Sequence, residues 1–481
     1  MAYSLRSVLR GSSIFTVGQI LTRATGFFLI PIYTRFLTPE DYGIIGILGV
    51  VVVLTTSVLS LGASQTQMRY YHEYEEDRRK VGELLFSMNV LLVGVAIVVC
   101  GTLTALGEPL FERLLDNPAI TFTPFVVIAI WISFFTVLSQ LIPYYYVATK
   151  QFAYCAVLQF VQFILIAGFI IVFVVFMKQG ALGSIKGSLI GLAVFSAVFY
   201  WPYARNFVLH LNTDYVRQVL HMGLPIMVHS TAAAAMVSLD KLILNKYLSL
   251  SSVGIYTLGF KFGLVMSVVV MSINRAWTPN YYELMKQQEL DRAREIKRMF
   301  CVWITVIGAL CIGVGAWSRE VVEFLTTEEY FSAATVIPMI LLGFFFQGVY
   351  FFMSGPIFYF KKTYLLPFMT VAAALLNVGL NILLIPRVGI VGAAITTAVS
   401  FLFLALAAYF LGRKYFDPHF EWFRLSLLML VISVTSIVSI WGEPGLVFKI
   451  CMVVGYLVLC YLFFPAYLKP FVRRVMSYVR R

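Results

Sequence analysis

The sequence predicts an all-helical polytopic membrane protein of about fourteen spanning helices, built as two homologous six-helix lobes followed by a helix pair. Three observations predict it: composition, unbroken apolar runs and an internal repeat. Of 481 residues, 60% are hydrophobic and 12% charged, where a soluble domain carries about 25% charge. Mean hydropathy is +0.88. Fourteen helices of about 20 apolar residues would use roughly 280 residues, close to the apolar fraction. A soluble enzyme, a disordered chain and a collagen-like polymer are excluded. So is an outer-membrane barrel, because the apolar runs do not alternate.

The apolar windows fall at about 12–36, 43–67, 84–106, 122–148, 154–177, 187–204 and 223–247. They continue at about 254–278, 299–317, 333–359, 365–385, 390–411, 425–441 and 447–464. No small-residue cleavage site follows a short apolar core near the N-terminus, so the first window reads as a retained helix and not a signal peptide. Of the 36 lysines and arginines, 24 lie on the side of the N-terminus, 8 on the opposite side (Arg35, Lys246 and Lys449 at window edges among them) and 4 deep within windows. Positive charge stays on the cytoplasmic side, so both termini are expected in the cytoplasm, with Glu112 and Glu323 outside. The same distribution explains the net charge of +13 without a nucleic-acid partner. No loop exceeds roughly 20 residues, too few for a catalytic domain with its own core. The chemistry therefore has to reside in the bundle.

The repeat has a period of 211 residues. Residues 34–46 (TRFLTPEDYGIIG) lie over 245–257 (NKYLSLSSVGIYT), matching Leu37 with Leu248, Gly43 with Gly254 and Ile44 with Ile255. At the same offset Tyr70 meets Tyr281, Glu112 meets Glu323, and Lys150 meets Lys361. A single offset held across six windows, loop for loop, defines lobes 1–206 and 207–412, with 413–481 as the extra helix pair and a basic tail. An even number of spans per lobe makes the repeat parallel, and such transporters place their site near the midplane at the repeat interface.

Several short runs also resemble a known family. Residues 35–43 (RFLTPEDYG), 238–244 (SLDKLIL), 253–256 (VGIY) and 276–279 (AWTP) are similar to those of polysaccharide/O-antigen flippases. These are the polysaccharide transporters of the multidrug/oligosaccharidyl-lipid/polysaccharide exporter superfamily. The resemblance runs through essentially the whole chain. It implies a V-shaped bundle in a bacterial inner membrane that flips undecaprenyl-pyrophosphate-linked oligosaccharides. It also implies a lateral groove for the polyprenyl tail beside windows 13 and 14, where the sole acid is Glu443. Membrane lipids and polysaccharide polymerase machinery are the further partners, and no cofactor is called for.

Five ionisable residues lie more than two residues inside a window: Arg23, Asp240, Lys241, Lys261 and Arg275. Each costs roughly 2.5–3.5 kcal/mol at a helix centre. Arg23 is about 11 residues, roughly 16 Å, from either end of its helix, too far for its side chain to reach either surface. Ser12, Thr16, Gln19, Arg23 and Gly26 recur at threes and fours and form one polar stripe. Lys261, Val265, Val268, Ser272 and Arg275 form another. Four cations against one acid leave +3, which suits an anionic headgroup, since arginine meets phosphate oxygens bidentately. Arg23, Gln19, Lys261, Arg275 and Lys241 are thus the candidate substrate contacts. Asp240 is either half of a structural charge pair or a coupling site. Asn377 and Asn381, at i and i+4, read as an interhelical hydrogen-bonding pair, and His229 as an interior histidine.

Two other readings compete. A cation-coupled drug or metabolite antiporter on the same fold would want the opposite charge sign. A membrane glycosyl- or acyltransferase would rest on His72 and Asp77, which match an HxxxxD pattern but lie in a charged loop without a scaffold. No phosphate-binding or dinucleotide loop and no HExxH pair occurs. The six cysteines form no CxxC pair and read as small buried hydrophobes rather than metal ligands. Gly183, Gly187 and Gly191, and Gly259 with Gly263, are expected to mark close helix contacts.

Overall fold

A computed structural model describes residues 30–286, 289–441 and 445–469, and among these all regular structure is helical. Twelve helices are long and apolar enough to cross a membrane. A pair bent by 44° (Glu328–Thr335 with Ile337–Met353) makes thirteen if it is one span. These match the second to fourteenth windows. The first window lies outside the described residues except for its end, α1 (Ile30–Phe36).

In chain order there follow α2 (Pro39–Leu59), α3 (Ala63–Tyr74), α4 (Arg78–Leu106) and the short α5 (Glu108–Leu115). Next come α6 (Val127–Ala148), α7 (Phe152–Ile171), α8 (Gly180–Ala204), α9 (Thr213–Ser238), α10 (Asp240–Tyr247) and α11 (Leu250–Leu284). The remainder are α12 (Glu289–Ala316), the short α13 (Ser318–Leu325), α14 (Ile337–Met353), α15 (Gly355–Tyr359), α16 (Leu365–Val388) and α17 (Ile390–Gly412). The helix pair is α18 (Trp422–Trp441) and α19 (Leu446–Phe463). The chain divides into two compact units between Thr257 and Leu258.

In the first unit the repeated motif acts as a helix start. Thr38 caps α2: its hydroxyl accepts from the Asp41 amide at 3.2 Å, and the Asp41 carboxylate accepts from the Thr38 amide at 3.1 Å. This reciprocal box, with Pro39 in the first turn, satisfies donors a helix start leaves open. Asp41 also accepts from the Ala181 amide at 2.7 Å, tying α2 to the start of α8. At the 211-residue offset Ser249 repeats the cap, accepting from the Ser252 amide at 3.2 Å.

The two capped starts then cross. Gly43 lies against the Leu250 carbonyl, Gly254 against the Pro39 carbonyl, and Gly46 against the Thr257 side chain. The contacts obey the offset: 39 and 43 map onto 250 and 254, so Gly43 against Leu250 mirrors Gly254 against Pro39, and Gly46 meets its own counterpart at 257. A Cβ at Gly43 or Gly254 would collide with backbone, so glycine permits the approach.

The expected glycine contacts are present. On α8, Gly183, Gly187 and Gly191 pack on the α7 side at Phe173, Ile170 and Ile166, with hypothetical Cβ distances of 2.6–2.9 Å. In the second unit Gly259 meets Ala333 and Val336, and Gly263 meets Ile340. Between α4 and α8 the buried Asn89 donates to the Tyr203 hydroxyl at 2.9 Å and accepts from Tyr200 at 3.1 Å.

The helix pair α18–α19 is fastened to the second unit by polar contacts. The Tyr456 hydroxyl donates to the Ile304 carbonyl of α12 at 2.7 Å. Lys449, which the charge tally treats as an external loop residue, instead lies inside α19. It is 5% exposed and donates to Glu320 of α13. The sidedness count could not detect this, because it weighs charge by loop and not by partner. Five cysteines are buried as expected, but Cys451 on α19 is exposed, because most of that helix is uncovered by the rest of the chain.

Glu320 has its carboxyl below the ordinary value of 4.5. Burial pushes it up, but the Lys449 hydrogen bond and charge outweigh this. A depressed carboxyl contributes stability above its ordinary value and loses it as pH falls through the folded one. Acidification below pH 4.5 is therefore expected to lower the melting temperature of the wild type, and less so for Glu320→Gln. At neutral pH Glu320→Ala strands a buried lysine. Its cost falls between about 1 kcal/mol for an exposed pair and about 3–5 kcal/mol for a buried one. Lys449→Met, which strands a half-exposed acid, should melt above Glu320→Ala; the reverse order would refute this account.

Candidate functional site

Arg23 and Gln19 lie outside the described residues. Of the other site candidates, Asp240 and Lys241 belong to the first unit, Lys261 and Arg275 to the second.

Asp240 opens α10, immediately after the regular geometry of α9 ends at Ser238. It has no exposed surface. Its carboxylate accepts from the Lys241 amide at 2.8 Å and from the Tyr256 hydroxyl of α11, and the Lys241 charge also acts on it. A carboxylate withdrawn from water needs this kind of donor set. Sequence reasoning missed Tyr256, although it stands in the VGIY run that carries the family resemblance. The usable signal was a lone phenol one helix away from a lone in-span acid. His229, eleven residues earlier, is half buried.

This geometry sharpens the choice between a structural and a coupling Asp240. Asp240→Ala should reduce the amount of folded, inserted protein, because it leaves the neighbouring lysine charge without its counter-ion. If the role is structural, Asp240→Asn combined with Lys241→Gln should restore insertion, with transport per inserted molecule equal to that of Lys241→Gln alone. A double variant that inserts normally but transports less than Lys241→Gln alone would make Asp240 part of the transport cycle.

On α11 no residue of the stripe Lys261, Val265, Val268, Ser272 and Arg275 is fully buried. Val265 and Arg275 are exposed and the other three half-buried, while Leu258, Phe262, Met266, Val270 and Trp277 face inward. Asn377 and Asn381 are fully buried on α16. Asn381 donates to Asn377 at 2.9 Å and accepts from Thr396 of α17 at 2.5 Å, so the pair does bond between helices.

The HxxxxD pair does not form. His72 bonds Glu75 at 3.0 Å, while Asp77 caps α4 by accepting from the Arg79 and Lys80 amides at 3.0 and 3.2 Å. Histidine and aspartate are each engaged elsewhere, with roles in helix termination and surface charge.

A family model described as polysaccharide biosynthesis protein matches residues 8–285, more than half the chain. The chain belongs to that family. A Haemophilus influenzae relative, described as Lsg locus putative protein 1, is 22% identical over 404 residues. The alignment covers 80% of this chain and 95% of the relative. Among solved structures, a lipid II flippase, MurJ, in an inward closed conformation superposes with a TM-score of 0.72. Identity is 16%, with 94% of this chain and 99% of that one covered. A Pyrococcus furiosus transporter of the same exporter superfamily, whose binding pocket is described as having reverse polarity, gives 0.60 at 13% identity. There 85% and 95% are covered. At such identities the likeness concerns the fold. Family and fold together describe a multi-pass membrane protein of polysaccharide biosynthesis with the architecture of the exporter superfamily.

Proposed function

We propose that this protein flips an undecaprenyl-pyrophosphate-linked oligosaccharide across a bacterial inner membrane, by alternating access of two homologous lobes, 1–206 and 207–412. The observation that carries the reading is the conjunction of family and fold: a polysaccharide biosynthesis protein with the architecture of a lipid II flippase. The in-span charge of +3 supports the substrate class, since an anionic pyrophosphate offsets cations that the bilayer makes costly. The reciprocal crossing at Gly43 and Gly254 supports the repeat. Arg23, Gln19, Lys241, Lys261 and Arg275 are the proposed substrate contacts, and both termini are proposed to be cytoplasmic. The protein works as a transporter and not as an enzyme.

Deleting the gene and analysing lipid extracts by mass spectrometry tests this. The expected result is accumulation of an undecaprenyl-pyrophosphate oligosaccharide, cleared when the wild-type chain is restored. An unchanged lipid profile together with new sensitivity to a cationic drug would favour the antiporter reading.

A further inference from the structure

The second unit contains a cavity of about 710 Å³ that none of Lys241, Lys261 and Arg275 lines. This is within the usual range for small-molecule sites. It is bounded by α13, by the bent segment before α14, and by the facing ends of α18 and α19. Its lining charges are Arg319, Glu320, Glu323 and Lys449, and Ser332 and Thr335 add hydroxyls. We propose that this cavity binds the headgroup of a zwitterionic phospholipid of the phosphoethanolamine class.

Charge balance comes first. Among the described lining residues two cations face two carboxylates, so a net anion or a net cation gains from one pair and loses to the other. A headgroup carrying both phosphate and ammonium finds an opposite charge for each. Lys449 is buried in the first turn of α19, where the helix dipole opposes a cation. Glu320 and the Trp317 ring, 6.0 Å from the ammonium, offset it in the protein, and a phosphate would add a second anionic group. Glu320 pairs with Lys449 and Glu323 with Arg319 at 2.7 Å, and Glu320 also feels the Arg319 charge. Both acids have substantially exposed side chains. A carboxylate can accept several hydrogen bonds, so capacity remains for an N–H donor. That favours a primary ammonium over a trimethylated one.

The surroundings select the lipid over a soluble headgroup. Phe324 is 88% exposed, Leu446 64% and Val447 76%. They flank the charged lining in sequence and give acyl chains an apolar surface beside it. The charge tally assigns this end of the unit to the outer side of the membrane, where lipid headgroups lie.

Native mass spectrometry of the full-length protein in detergent tests the proposal. The probes are equimolar phosphatidylethanolamine, phosphatidylcholine and phosphatidylglycerol. Phosphatidylethanolamine should be retained about tenfold over each of the others, the difference expected from one charge-assisted hydrogen bond. A photoactivatable phosphatidylethanolamine should label peptides spanning 318–335 and 439–449. Ser439→Trp, which fills the cavity, and Glu320→Gln with Glu323→Gln should each abolish the preference. Glycerophosphoethanolamine at the same concentration should not displace the lipid; displacement would assign the cavity to a soluble ligand. Equal retention of the three lipids, or labelling confined to other peptides, would overturn the proposal. The wild-type arms decide the matter even if the variants fail to fold.

Discussion

Replacing Gly254 by valine is expected to lower the melting temperature of the detergent-solubilised protein sharply, or to prevent its accumulation. A side chain there would enter the Pro39 carbonyl oxygen and approach the Gly43 amide nitrogen at 2.8 Å. Both obstacles are backbone, so no rotamer relieves them. Overpacking a buried contact costs typically 1–3 kcal/mol and sometimes more, and here two helix starts would have to part. Even Gly254→Ala should destabilise, although alanine in a helix is ordinarily favoured over glycine by about 1 kcal/mol. That reversal of sign is the informative part. Gly43→Ala should behave alike, because it meets the Leu250 carbonyl in the same manner. Gly49, with nothing within 4 Å of its hypothetical Cβ, is the control, and Gly49→Ala should be neutral or stabilising. Because both glycines serve one crossing, the double substitution should cost less than the sum of the singles. A Gly254→Val protein that melts with the wild type would show that the helices do not approach this closely.

The second large effect concerns Arg23 and rests on the proposed function. Arg23→Gln should abolish clearance of the lipid-linked intermediate while leaving abundance and insertion normal. Arg23→Lys should retain part of the activity, keeping the charge while losing the bidentate fork that fits a pyrophosphate. At the 211-residue offset Arg23 corresponds to Ala234, so the other lobe cannot supply the same charge from the equivalent position. Wild-type clearance by Arg23→Gln would remove this residue from the mechanism. Loss of clearance with loss of inserted protein would instead give it a structural role.

What could be read from the sequence was what depends on periodicity. Apolar runs located the spans, because a bilayer imposes a length and a composition at once. The glycine triad of α8 and the glycine pair of α11 foretold their close contacts, and the i, i+4 asparagines their bonding between helices. Pairings between distant segments stayed hidden. Tyr256 and Asp240 are on different helices, and nothing in either window states that the phenol turns toward the acid. Lys449 and Glu320 are 129 residues apart, each near the end of an apolar run, where a charge count sees two unrelated loop residues. The crossing of Gly43 and Gly254 lay between these cases. The offset identified both glycines as counterparts, but that they touch is a property of the packed chain.

The inward turn of Lys449 fixes what α19 presents two residues later. At 3.6 residues per turn, Cys451 is rotated by about 200° from Lys449, so tethering one to Glu320 sends the other to the opposite side. Cys451 is accordingly the one exposed thiol of the six, the other five being buried. The unaltered protein thus carries its own attachment point for a lipophilic thiol-reactive spin or fluorescent label on the last helix. Rotation or detachment of that helix can be followed spectroscopically without first building a cysteine-free background.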